Sequence, residues 1–173
     1  MTNAETELAG YFAKYEPAMA KLGKALRARL QARLPGLFEI VYVYENQNAL
    51  VISYSPTERG YEGVCTLSVY PHVVRLGFGK GAELSKSDPN RLLQGQGRTA
   101  RYIELGSIAE FDRPEIEALL ASEVKLAKLR LDPDAKGAII IKAEEQKQRA
   151  RRTTKSARPA ATRRTNVRQS KKT

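Results

Sequence analysis

Four runs decide the fold: Phe38-Glu-Ile-Val-Tyr-Val-Tyr44, Ala49-Leu-Val-Ile-Ser-Tyr54, Val64-Cys-Thr-Leu-Ser-Val-Tyr70 and Val73-Val-Arg-Leu-Gly-Phe78. Each is rich in Val, Ile and Tyr, which suit a pleated and half-buried backbone. Between them lie Glu45 to Asn48, the stretch Ser55-Pro-Thr-Glu-Arg-Gly60, and Pro71-His72, all turn chemistry. Links this short join antiparallel neighbours, so the four runs predict a meander. Thr99 to Leu105 is a fifth strand candidate, and Gly137 to Lys142 reads as a final, fully buried strand.

Helices bracket this sheet. Upstream, Leu8, Tyr11, Phe12 and Tyr15 share one helical stripe, which Met19, Leu22, Leu26 and Leu30 continue beyond Pro17. Two consecutive helices, or one broken near Pro17, would lay that stripe on the sheet. Downstream, Asp112 is placed as an N-cap three residues before Glu115, with Pro114 in the first turn, where its missing N–H costs nothing. Ile116, Leu119, Leu120, Val124, Ala127 and Leu131 form the buried stripe of that helix, and Asp132-Pro133-Asp134 stops it. The fold class expected is α+β: an antiparallel sheet of about five to six strands packed by N-terminal and C-terminal helices.

The chain has 173 residues, 42% hydrophobic and 28% charged, with a formal net charge of +11. Of its 30 Lys and Arg, 11 lie in residues 146–173, where there is no acid; the remaining 19 balance the 19 Asp and Glu. All 12 Phe and Tyr lie at or before Phe111. A terminal segment without aromatics buries too little apolar surface to offset backbone entropy of about 1–2 kcal/mol per residue. The expected organisation is a folded domain over 1–142, a polar helical extension over 143–152 and a disordered basic tail over 153–173. The cations expected to meet nucleic acid or another polyanion, without sequence preference, are Lys147, Arg149, Arg151, Arg152, Lys155, Arg158, Arg163, Arg164, Arg168, Lys171 and Lys172. No apolar run approaches the roughly 20 residues of a membrane span, and Met1 to Thr6 lacks the pattern of a secretory signal. The lone Cys65 suits a reducing compartment, so a cytoplasmic protein with no membrane partner is expected.

Between Gly79 and Ala100 the strand pattern lapses. Asp88 as cap, Pro89 at the first helical position and Gly95 past the end predict one or two helical turns there, pinned by Leu92 and Leu93. The same stretch is the candidate binding site for an unknown small molecule or protein. Amides at Gly77, Gly79, Gly81, Gly95 and Gly97 allow close approach, and Lys80, Arg91, Arg98 and Arg101 supply positive charge for a phosphate or carboxylate. Neither Gly77-Phe-Gly-Lys-Gly nor Gly95-Gln-Gly-Arg is a dinucleotide fingerprint or a P-loop. No catalytic constellation assembles. His72 is the sole histidine and sits in a turn, Cys65 lies within a strand as an inert small hydrophobe, and the carboxylate pairs fall at helix edges. No catalytic residue, metal ligand or cofactor is therefore assigned, and the chain reads as a binding module rather than an enzyme.

The order of several motifs resembles the bacterial YdhG-like domain of unknown function: Asn48-Ala-Leu-Val51, Ser55-Pro-Thr-Glu-Arg59, Tyr70-Pro71, Gly81-Ala82, Asp88-Pro89, Leu92-Leu-Gln-Gly-Gln-Gly97, Arg101-Tyr-Ile103, Ile139-Ile-Ile-Lys142 and Arg151-Arg152. They span the chain up to Arg152. The resemblance implies a compact α+β fold without an assigned activity. Some relatives resemble frataxins and are described as iron chaperones. That role needs a carboxylate surface, whereas this chain has only four Asp and intersperses Glu5, Glu7 and Glu16 with Lys14, Lys21 and Lys24, so iron binding is carried over to no residue. The family's Gly-Lys position is Gly97-Arg98 here, a change from ammonium to guanidinium.

Overall fold

The computed structural model describes residues 2–60 and 62–142. Two helices, α1 (Asn3–Phe12) and α2 (Pro17–Arg33), precede the meander β1 (Phe38–Tyr44), β2 (Ala49–Ser55), β3 (Cys65–Val69) and β4 (Val74–Phe78). A short helix α3 (Gly81–Leu84) leads through a loop to β5 (Arg101–Leu105), then come α4 (Ile108–Phe111), α5 (Pro114–Leu126) and β6 (Ile139–Ile141). The α+β architecture expected from the sequence is the one found: a six-stranded sheet in the order β5-β4-β3-β2-β1-β6. β1 to β5 are antiparallel, and β6 returns beside β1 in parallel. The first turn is closed by Asn48 at φ 47°, a left-handed conformation that asparagine tolerates. The expected extension at 143–152 and tail at 153–173 lie outside the described residues.

Alternation along the strands sends Leu50, Ile52 and Tyr54, then Cys65, Leu67 and Val69, then Val74, Leu76 and Phe78 to one face. There they join Leu8 and Phe12 of α1, Leu26 and Leu30 of α2, and Ile116, Leu119 and Leu120 of α5 in one buried cluster. Pro17 opens α2 at its first position, so the break between the N-terminal helices falls where the sequence places it. The buried face of α2 is rotated from the expected stripe. Ala20 and Gly23 are buried, whereas Met19 and Leu22 are only half-buried. Small residues let the helix backbone approach the sheet. A Cβ on Gly23 would stand 2.8 Å from Val69 Cγ2 and 2.9 Å from Phe12 Cε1.

Four other expectations are corrected. Asp112 is not the cap of α5; it ends α4, and its carboxylate takes Arg29 at 3.1 Å and Arg33 at 3.2 Å from α2. A side-chain cap stands one helix earlier, where Ser107 Oγ accepts from the Glu110 amide at 3.2 Å and Glu110 Oε2 accepts from the Gly106 amide, just before the cap, at 2.7 Å. α5 stops at Leu126, before Asp132. Lys128 takes φ 55°, the Lys128 amide bonds Lys125 O at 3.0 Å and the Leu129 amide bonds Val124 O at 3.2 Å, the paired closure of a Schellman end. Ala127 and Leu131 therefore lie beyond the helix. In the 79–100 stretch the helical turns precede Asp88 instead of following it, because the Asp88 carboxylate accepts from the Leu93 amide at 2.8 Å and organises a turn. Finally, the last strand is not fully buried. It is half-buried, with β1 as its one neighbour among the described residues, and a continuous Ile run is what both sides of such a strand need.

Two substitutions test this packing by urea denaturation. Gly23→Ala is expected to cost about 1–3 kcal/mol, since neither Val69 nor Phe12 has room to yield. Lys128→Gly is expected to stabilise by about 1 kcal/mol, because it relieves a side chain held in the left-handed region.

Candidate functional site

The face turned away from the helices carries a different set of side chains. Register pairs Tyr42 with Val51, Val51 with Ser68, Ser68 with Arg75 and Arg75 with Glu104, which makes one row across five strands. The adjacent row runs through Ser53, Thr66, Gly77 and Tyr102. Tyr42, Tyr44, Thr66, Arg75 and Tyr102 on this face are half-buried.

At the β5 end the loop after Leu93 folds back over the sheet. The Gln94 amide donates to Tyr102 O at 2.8 Å and the Tyr102 amide to Gln94 O at 3.0 Å, an isolated bridge outside β5. Gly95 then turns at φ 101°, and a Cβ there would lie 3.2 Å from the Tyr102 ring, so the position requires glycine. The Arg101 guanidinium donates to the carbonyls of Gly97 and Ala100 and closes the loop on itself. Beneath it is a cavity of about 350 Å³, floored by Thr66, Ser68 and Gly77 and walled by Tyr70, Arg75, Tyr102 and the Gly95–Gly97 loop. Gly77 leaves the floor open where a Cβ would strike Thr66 Oγ1.

Arg75 is the centre of this cavity's electrostatics. Its guanidinium lies over the Tyr102 ring at 4.4 Å and the Tyr70 ring at 5.0 Å. Its Nε and Nη2 both donate to Glu104 Oε1, at 3.1 and 2.8 Å. The carboxylate and rings fix the cation in place and leave a planar guanidinium edge beside hydroxyl groups and loop amides. That combination suits a ligand with an anionic group and a flat ring.

The sequence-predicted site is brought together only in part. Arg101, Gly77, Gly95 and Gly97 line the cavity. Lys80 does not: its amide donates to Glu123 Oε1 at 2.8 Å and its Nζ to Leu126 O at 2.8 Å, so it caps the C-terminal end of α5. Arg91 stands in an exposed turn at φ 52°, and Arg98 is exposed outside the cavity lining. Gly81 serves packing, because a Cβ there would meet Arg101 Cβ at 2.4 Å. Sequence reasoning missed Tyr70, Arg75 and Tyr102. The signal was available in the hairpin turn at Pro71-His72, which sets Ser68 opposite Arg75 on one face. The eleven tail cations lie outside the described residues.

Elsewhere, Cys65 is buried, and burial followed by the charge of Glu123 pushes its thiol far up. His72 is exposed, and Asp132 accepts the Asp134 amide at 3.0 Å in a local turn. Among the described residues no three His, Cys, Asp or Glu side chains gather as a metal site.

No family model matches this chain. No curated protein and no solved structure matches it either.

Glu123 holds the turn that leads into the candidate site and is itself 1% exposed. Burial raises its carboxyl above the ordinary 4.5, against the Lys80 amide, which favours the charged form. A raised pKa in the folded state contributes stability that is present below the ordinary value and lost as pH rises through the folded one. Glu123→Gln keeps an acceptor for the Lys80 amide and carries no charge. The variant is expected to melt at or above the parent's temperature at about pH 8 and to lose that relative gain at about pH 4, checked by thermal denaturation across pH.

Proposed function

We propose that the folded domain is a non-enzymatic binding module whose sheet face opposite the described helices holds a small ligand combining an anionic group with a planar ring. The Lys and Arg of residues 146–173 attach the protein to polyanions. The observation that carries this reading is Arg75, laid over Tyr70 and Tyr102 beside a glycine-lined cavity. Arg101 and the amides of Gly95 and Gly97 complete the anion-binding side, and the tyrosine rings accept the flat part by stacking. The motif order supports grouping the chain with the YdhG-like proteins, and the lone buried thiol supports a cytoplasmic setting.

A second reading makes nucleic acid the main partner through the tail. It is favoured by the confinement of all +11 of net charge to residues 146–173. Neutralising about 5–8 phosphates gives a log–log salt slope of roughly −5 to −7 on duplex DNA.

One set of titrations separates the two. Adenosine monophosphate, as a probe with both features, is expected to raise the melting temperature, with adenosine and inorganic phosphate each weaker. Arg75→Ala should weaken the monophosphate at least about tenfold, the scale of a lost charge-assisted hydrogen bond. Duplex binding should keep its salt slope in that variant. Monophosphate binding unaffected by Arg75→Ala contradicts the sheet-face site, and a salt slope near zero contradicts the tail's role.

A further inference from the structure

A second cleft, of about 580 Å³, opens between the end of α2, the start of β1 and residues 133–137. Leu34, Pro35 and Leu37 form one apolar wall. The polar groups lining it are Gln31, Glu39 and Tyr54, and Glu39 and Tyr54 are direct cross-strand partners. They lie on the helix-bearing face, so this cleft is separate from the Arg75 cavity.

The chemistry of these three groups is specific. The Glu39 side chain is 5% exposed and is held by Arg27, with Nη2 to Oε2 at 2.6 Å and Nε to Oε1 at 3.0 Å. Arg27 also reaches Glu5 Oε1 at 3.0 Å, so two carboxylates share one guanidinium and one negative charge remains over. Lys136, at the mouth, is exposed and makes no ion pair among the described residues. The Gln31 amide donates its Nε2 to Glu39 Oε2 at 3.1 Å, which leaves its oxygen as an acceptor. Tyr54 is 1% exposed, and its hydroxyl faces Glu39 without a hydrogen bond of acceptable geometry. A buried hydroxyl without a partner is costly, and one that lines a cleft marks where a partner is wanted.

We propose that this cleft binds a primary ammonium carried on a short apolar stem. An ammonium offers three donors and no acceptor, which matches the Gln31 amide oxygen, the remaining lone pair of Glu39 Oε1 and the Tyr54 oxygen. Its charge offsets the one negative charge that Glu5 and Glu39 together leave over, and the stem lies along Leu34, Pro35 and Leu37. A carboxylate or phosphate ligand would instead meet Glu39 head-on.

The test is an NMR titration of the full-length labelled protein with n-pentylamine, n-pentanol and pentanoate near neutral pH. Saturable shifts of the Leu34, Leu37 and Ala135 amides with the amine alone are expected. Tyr54→Phe keeps the ring and should weaken the amine about fivefold to tenfold, the scale of one hydrogen bond, in a variant whose spectrum shows the fold intact. The amine has the same sign as the tail, so attachment there does not imitate the result. No saturation with the amine, pentanol binding as tightly, or unchanged affinity in Tyr54→Phe overturns the proposal.

Discussion

Strand residues alternate between two faces, and in this chain the helices bury one of them. α2 comes close to the sheet at Gly23, where the absence of a side chain lets its backbone settle against Val69 and Phe12. With most of the apolar residues of β2, β3 and β4 on that side, the intervening positions include Ser53, Thr66, Ser68 and Arg75. The candidate site is a product of this division: the same register that buries Leu67 and Leu76 presents Ser68 and Arg75 on the other side.

Charge follows a similar logic inside the fold. Arg27 ties α1 to α2 and β1 through Glu5 and Glu39. Burial opposes its charge, but the hydrogen bonds it donates to Glu39 and Glu5 outweigh that and hold the guanidinium protonated. The same hydrogen bond from Arg27 draws the Glu5 carboxyl below its ordinary value. A buried pair of this kind adds little net stability over apolar packing, yet removing one partner strands a charge. Here it fixes how the N-terminal helices sit on the first strand, and it leaves one carboxylate's worth of charge beside Tyr54.

The strands were legible because β-branched and aromatic runs between turn residues have few alternatives, and Pro17 marked the helix break. Local competition explains the misplacements. Ser107 and Asp112 both precede an acidic residue by three, and sequence does not reveal that Arg29 and Arg33 would claim Asp112. Lys128 ends α5 in a conformation usually taken by glycine, which no residue preference announces. The candidate site was half legible: glycines and Arg101 stood out as a cluster in sequence, whereas Tyr70, Arg75 and Tyr102 meet only through sheet register.

Among the described residues, helices cover one side of the sheet and leave the other open. Hydroxyl-radical footprinting of its tyrosines measures that directly. Tyr44, Tyr70 and Tyr102 should be modified readily while Tyr54 is protected, and protection of all four to the same degree would contradict the open face.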